Sequence, residues 1–333
     1  MGAKVLRLRI QTPSRLHFGL LLPGPGERRR YGGLGLALAE PRFVIEARPA
    51  ETWGVSGPDA DRAKRCLDHL RHQSPLARAL PMHIHLVETI PAHVGLGSGT
   101  QLACALAWLV ARAADLQPAL KDLLRWTGRG TRSAIGAAAF ASGGFIVDLG
   151  KHEATTQGPT FLRLDFPHDW HVALLLPDGP PGLHGPPENA VFSQLSVEAN
   201  RLSERLCRLT MLQLLPALVE HCYEDFAAAL SEYNRLAGEC FRPWQSGSYH
   251  SDAVARIIAI WQQFSPVAVG QSSWGPAVFV IAPPERLREL LARTQRQMDG
   301  LVRKTIITTV SSSGARTDEG RSLDAVLQSP ESA

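Results

Sequence analysis

The sequence predicts an α+β protein built in two parts. Three observations carry this reading. Strand-like segments dominate up to about residue 150, and helical periodicity dominates from Glu188 to Gly238. A late strand, tight loop and strand (Val267–Gly270, QSSWGP, Ala277–Ala282) is then followed by one helix and a last strand. At 333 residues the chain is long enough for two substantial cores. The expected division is residues 1–165, residues 166–312 and a polar tail over 313–333.

The elements follow in order. Val5–Gln11 alternates apolar and polar residues and reads as a strand. Gly-Pro clusters then mark a loop, with strands at Gly35–Leu38 and Phe43–Ala47. DADRAKRCLDHLRHQ reads as a helix with Asp59 or Asp61 near its start. Met82–Glu88 alternates again, with His83, His85 and Val87 on one face. Gln101–Ala114 is apolar nearly all round, the mark of a buried helix. LKDLLRW is a second helix, stopped by TGRGTRSAIG; Phe145–Asp148 and Trp170–Leu176 are strands. PDGPPGLHGPPEN is a turn-rich connection. The helical block after it breaks at Pro216, and its apolar stripes suit a core or a homodimer surface. Asp252–Phe264 and Pro284–Met298 are helices, and Val302–Val310 is the closing strand.

Composition narrows the function. Apolar residues are 44% of the chain, charged residues 20%, and the net charge is +4, all ordinary for a soluble globular protein. Arg28-Arg29-Arg30 is an isolated basic run without interleaved aromatics, which argues against nucleic-acid binding. The five cysteines are scattered and include no C-x-x-C pair, as in a reduced cytoplasmic protein. No secretory signal or membrane-length apolar run is visible, so a cytoplasmic location and small-molecule partners are expected. His69-x-x-His72 and His83-x-His85 have spacings a metal could use, but no third ligand is near either in sequence.

PAHVGLGSGTQLACALAWL is the stretch with chemistry in it. A helix N-terminus leaves backbone N–H groups unpaired and carries a partial positive charge, and glycines let an anion approach them. Gly95, Gly97, Ser98, Gly99, Thr100 and Gln101 are therefore candidate phosphate contacts. The motif is neither a P-loop nor a dinucleotide fingerprint.

PAHVGLGSGTQLA resembles the second motif of the GHMP superfamily of small-molecule kinases. YGGLGLALA resembles its N-terminal glycine-rich motif, and AVGQSSWGPAVFVIA stands where its third loop stands. The resemblance implies a two-domain GHMP-type fold. Its N-terminal domain would hold a left-handed βαβ unit, its C-terminal domain would be ferredoxin-like, and the active site would lie between them. A sugar-type kinase of this superfamily needs a general base, often an Asp, after the phosphate helix; here no carboxylate stands between Asp122 and Asp148. Homoserine kinases also dispense with that Asp. Trp274 replaces a small residue in the third loop.

These departures match another branch. SRLHFGL, YGGLGLAL, PAHVGLGSGTQL, GRGTRSAIGAAAFASGGFIVDLGK and QSSWGP together resemble the β-ribofuranosylaminobenzene 5′-phosphate synthase family. Thr131-Arg132 departs from the small residues expected there. The resemblance implies condensation of phosphoribosyl pyrophosphate with 4-aminobenzoate or 4-hydroxybenzoate, releasing CO2 and pyrophosphate, in methanopterin biosynthesis. The donor would come with Mg²⁺ bridging its phosphates, and Glu88 is the nearest upstream carboxylate for the metal. Arg15, His17, Ser98 and Trp274 are the candidate catalytic residues. Arg129, Arg132, Ser133, Gln271, Ser272 and Ser273 are further candidates for phosphate or substrate binding. The alternatives are an ATP-dependent GHMP kinase for a sugar or alcohol, and a non-catalytic phosphate-ligand sensor.

Overall fold

A computed structural model of the chain describes residues 7–152, 160–179, 182, 185–245 and 247–318. Twelve strands lie among them: β1 Leu8–Leu22, β2 Arg29–Pro49, β3 Gly54–Ser56, β4 Met82–Glu88, β5 Phe145–Asp148, β6 Lys151–His152, β7 Phe161–Leu164, β8 His171–Pro177, β9 Ala268–Gln271, β10 Val278–Ala282, β11 Val302–Thr308 and β12 Arg316–Thr317. The α-helices are α1 Ala60–Leu70, α2 Ser98–Ala113, α3 Leu120–Thr127, α4 Ile135–Ala141, α5 Pro186–Gln194, α6 Ser203–Leu209, α7 Leu215–Val219, α8 Tyr223–Glu239, α9 Asp252–Gln262 and α10 Pro284–Met298. No helix among the described residues is long and apolar enough to cross a membrane.

The two sheets give the α+β class its form. The first runs β12-β1-β2-β4-β3, with β5 and β6 also paired to β2 and β7 to β5. Within it β3 and β4 are parallel and joined through α1, a βαβ unit. The second runs β11-β8-β10-β9 and is wholly antiparallel. That order, with helices between β8 and β9 and α10 between β10 and β11, is the ferredoxin-like arrangement.

Three sequence expectations need correction. The first strand does not stop at Gln11. Instead β1 continues through SRLHFGL and pairs along its length with β2, which absorbs both Gly35–Leu38 and Phe43–Ala47. Register shifts between Thr12 and Ser14 and between His17 and Gly19 let this long pair bend without parting. Val5 lies outside the described residues. The helical block breaks after α7, not at Pro216. That proline follows directly on a π turn over Thr210–Leu214, and the chain stays helical through it. The tail does not begin at 313: Ala315 is fully buried and β12 pairs with β1. Its polar composition hid an edge strand, whose pairing needs backbone and no apolar side chain.

One apolar cluster reaches both sheets. Phe18 of β1 meets Phe279 of β10 edge-on at 5.0 Å, and Phe145 of β5 meets Phe226 of α8 at 6.5 Å. α8 also joins them by hydrogen bonds. The buried Asn234 amide donates to Phe18 O (2.7 Å) and Gln271 O (2.8 Å) and accepts from Gln271 N (2.8 Å). Removing it would leave three backbone groups unpaired at about 1–3 kcal/mol each. This amide sets the strand carrying His17 against the strand leading to the QSSWGP loop.

Candidate functional site

The cradle begins with α2. Gly97 caps it in the left-handed region (φ 76°, ψ 11°), and Gly95 has φ 93°, conformations that favour glycine. Space demands glycine as well: a Cβ on Gly95 would stand 2.2 Å from Ser272 O. The N–H groups of Thr100 and Gln101 both donate to Gly97 O, so the amides of Ser98 and Gly99 are the ones at the mouth of the helix. Arg62 of α1 donates to Ser98 Oγ at 3.2 Å, which leaves the Ser98 hydrogen to point elsewhere. The Arg129 guanidinium lies over Gly99, 3.4 Å from where a Cβ would be.

Three distant motifs are sewn together here by backbone. Arg15 N donates to Leu96 O (3.1 Å), and Arg15 Nη1 donates to Gly95 O. The Ser272 hydroxyl donates to Gly95 O (2.7 Å) and accepts from His17 N (3.0 Å). Ser273 N reaches His17 O (2.9 Å), and Ala277 N reaches Val94 O (3.1 Å). The chain segments approach so closely that a Cβ on Gly275 would sit 2.1 Å from the Val94 carbonyl carbon.

Beneath the cradle lies a polar chain. His17 Nε2 is 3.1 Å from Ser133 Oγ, and Ser133 Oγ donates to Asp148 Oδ2 at 3.2 Å. Ala134 N (2.6 Å) and Gly150 N (2.9 Å) also donate to Asp148. Burial pushes the Asp148 carboxyl above its ordinary range, opposed by the Ala134, Gly150 and Ser133 hydrogen bonds and by Lys151. Burial, and then the Arg15 charge, lowers His17 to about 3, so its imidazole is neutral at physiological pH. Burial also lowers Arg15 to about 10, with Glu188 acting in the opposite direction.

An aromatic wall faces the cradle. Trp274 is buried, with its ring edge-on to Phe241 at 4.6 Å and to Phe192 at 6.2 Å. Arg132 stacks over Phe192 at 4.5 Å and pairs with Glu188 at 2.9 Å, joining the loop after α3 to α5.

Cradle, polar chain and wall enclose a cavity of about 520 Å³. Four arginines (15, 62, 129 and 132) line it against one carboxylate, Glu188, a balance suited to an anion. Arg15, His17, Gly95, Gly97, Ser98, Gly99, Thr100, Arg129, Arg132, Ser133, Gln271, Ser273 and Trp274 all line it. Gln271 is nevertheless committed to the protein at both ends, its amide donating to Ser273 O and accepting from His250 N. Three expected residues are placed elsewhere. Gln101 is fully buried and donates to Gly136 O, while Ser272 is the buried clamp described above. Glu88 offers both oxygens to Arg42 (3.0 and 3.1 Å), because β4 pairs with β2 and carries it away from the cavity. His83 and His85 both bond Ser56 Oγ, and no cluster of three metal-ligating side chains occurs among the described residues.

Sequence reasoning missed Arg62, Glu188, Phe192, Phe241, Asn234 and Asp148. Asp148 carried the one available signal, as the carboxylate that ends an apolar strand just after the acid-free segment.

Known proteins share this chain's domains and much of its sequence. Residues 61–144 match the GHMP kinases N terminal domain, and residues 214–300 match the GHMP kinases C terminal domain. The chain is 31% identical over 298 residues to a beta-ribofuranosylphenol 5′-phosphate synthase of Methanothermobacter thermautotrophicus, covering 83% of this chain and 89% of that one. A protein of the same name from Archaeoglobus fulgidus is 31% identical over 288 residues, with coverages of 82% and 87%. Among solved structures, homoserine kinase from Cytophaga hutchinsonii (TM-score 0.65, 15% identity) covers 95% of this chain and 99% of its own. Mevalonate diphosphate decarboxylase from Staphylococcus aureus (TM-score 0.65, 13% identity) covers 94% and 98%. These two similarities speak to the fold alone.

Proposed function

The chain belongs to the beta-ribofuranosylphenol 5′-phosphate synthase family of the GHMP superfamily, and on that premise we propose that it joins phosphoribosyl pyrophosphate to 4-hydroxybenzoate in methanopterin biosynthesis. The observation that carries the reading is the pairing, in one cavity, of an arginine-flanked glycine cradle with a wall of Phe192, Phe241 and Trp274. A phosphorylated sugar fits the first half and a benzoate ring the second. The phenol in the relatives' name favours the hydroxyl acceptor over the amine.

In this reaction the ring carbon bearing the carboxylate bonds to the ribose anomeric carbon as the bond to pyrophosphate breaks. Loss of CO2 then returns its electron pair to the ring. Negative charge grows on the departing pyrophosphate. The amides of Ser98 and Gly99, the Ser98 hydroxyl and the guanidiniums of Arg62 and Arg129 meet that charge without reorganising. The apolar wall desolvates the carboxylate that leaves as CO2, and no strong base is required. Glu188, paired with Arg132, is the one carboxylate lining the cavity, a sparse donor set that fits a Mg²⁺ held mainly by phosphate oxygens and water, and Glu188 would be the protein group to hold it. When bound, that ion would neutralise the leaving group's charge.

Incubation with phosphoribosyl pyrophosphate, 4-hydroxybenzoate and Mg²⁺ should release CO2 and pyrophosphate in equal amounts. ATP turnover with neither product would overturn the assignment. The free cysteines suit a cytoplasmic enzyme, and the exposed Met211, Leu212 and Val219 suit a homodimer contact; sedimentation tests the latter.

A further inference from the structure

We propose that the outer face of the first sheet carries a second anion site, built for a phosphate group by Arg7, Arg48, His83 and His85. It lies outside the cavity described above and does not depend on the reaction assigned to that cavity.

Strand alternation and register bring these side chains together. Leu8, Ala47 and Ile84 turn into the core from β1, β2 and β4, so their chain neighbours turn outward. The outward residues fall into two rows across the sheet. In one, Arg9 stands opposite Glu46, Glu46 opposite His85, and His85 opposite Ser56. Thr317 pairs with Ile10, so Asp318 comes beside Arg9 at the end of that row. In the other, Arg48 stands opposite His83, and Arg7, just before Leu8, comes beside Arg48. All eight of these side chains line one hollow of about 540 Å³.

The rows differ in charge. The first balances itself, because Arg9 lies between two carboxylates and pairs with Glu46 at 3.7 Å. The second sets two guanidiniums side by side and contains no carboxylate. Like charges at facing strand positions repel, and neither Arg7 nor Arg48 has a hydrogen bond or ion pair with a described residue. An anion between them replaces that repulsion with charge-assisted hydrogen bonds.

The imidazoles add a donor. Ser56 Oγ lies 2.8 Å from His83 Nε2 and 2.9 Å from His85 Nδ1. Its one hydrogen goes to one ring, and the other ring donates to it. With both rings neutral, either arrangement leaves one N–H on the two remaining ring nitrogens. The donors thus come from three neighbouring strands, β1, β2 and β4. They suit a ligand with several acceptor oxygens and a double negative charge, which is a phosphate group. A carboxylate has two oxygens and one charge. Among the described residues no Phe, Tyr or Trp lines the hollow, so it offers a nucleobase no stacking surface.

Nitrogen-15 spectra of the full chain with labelled histidine read this site separately from the catalytic cavity, with His83→Gln and His85→Gln identifying the two signals. Inorganic phosphate, pyrophosphate and ribose 5-phosphate are each titrated in, with sodium chloride as the control. At least one should shift both signals saturably, with a Kd of about 1 mM or tighter. The tightest of the three distinguishes a free ion from a sugar ester. Arg48→Gln should weaken that binding about tenfold, the loss of one charge-assisted hydrogen bond. No shift from any of the three, or an equal shift from chloride, overturns the proposal. So does a response to an RNA oligonucleotide alone. A second readout needs no assigned spectrum. In phosphate-free buffer Arg48→Gln should be at least as stable to urea as the wild type, because it removes a like charge. Added phosphate should then raise the wild-type urea midpoint more than that of the variant. An equal rise in both would place the whole effect at the catalytic cavity and sink the second site.

Discussion

The two halves of the cavity are made in opposite ways. The cradle is made of backbone: Gly95, Gly97, Ser98 and Gly99 lie within five consecutive residues, and other segments clamp them through main-chain contacts. The wall is made of side chains from α5, the turn just past α8 and the QSSWGP loop, far apart in sequence, and it holds its shape by ring-on-ring packing. A backbone site tolerates almost no change of geometry, because a Cβ has nowhere to go. A side-chain wall can repack, so it tunes a substrate's fit.

The largest expected effect breaks the cradle. Gly95→Ala places a methyl 2.2 Å from Ser272 O at φ 93°. Destabilisation of about 3 kcal/mol or more and near-complete loss of turnover are expected, read by urea unfolding and pyrophosphate release. Ser98→Ala should leave the fold intact and lower kcat by about 10²-fold, as loss of one donor to a developing anion does. An unchanged rate would remove Ser98 from the leaving-group site. Phe192→Leu should act on the wall alone, raising KM for the aromatic acceptor about tenfold with the donor's KM nearly constant. Equal changes in both constants would mean that the wall does not discriminate the two substrates.

A pH dependence of stability is expected as well. The native pKa of His17 is lowered, so the unfolded chain binds the extra proton as pH falls from about 6.5 toward about 3. Stability from this group is full above pH 6.5 and is lost as pH drops through that window. Asp148, raised in the fold, opposes it, since its native form holds a proton that the unfolded form has released. Urea midpoints should decline between pH 6.5 and 4, and His17→Gln should flatten the slope. The same slope in wild type and variant would assign the loss to other groups.

Much of the fold was legible because it rests on local pattern. Met82–Glu88 buries Met82, Ile84 and Leu86 and turns His83 and His85 outward, and α2 is buried on nearly every face, as their sequences required. Arg15 and His17 were legible as a pair because strand alternation places them together. The first strand was given too early an end at Gln11 because the Gly-Pro clusters beyond it read as a loop, whereas β1 runs on to Leu22 and Gly19 and Gly33 provide close approach inside a bent pair. Glu88 was drawn to a metal because it is near the cradle in sequence. In space Arg42, on the neighbouring strand, holds it.

The acid-free segment is the clearest case. No carboxylate lies between Asp122 and Asp148, and a chain read in one dimension concludes that the site has none beneath it. Folding brings Asp148 back under Ser133, because β5 pairs with β2 beside the strand that carries His17. By itself the sequence determined the cradle, since backbone conformation and helix-end electrostatics are local properties of a few residues. Only the tertiary structure decided what the cradle faces and which charges flank it. Those depend on contacts between residues tens to hundreds of positions apart, which local pattern does not encode.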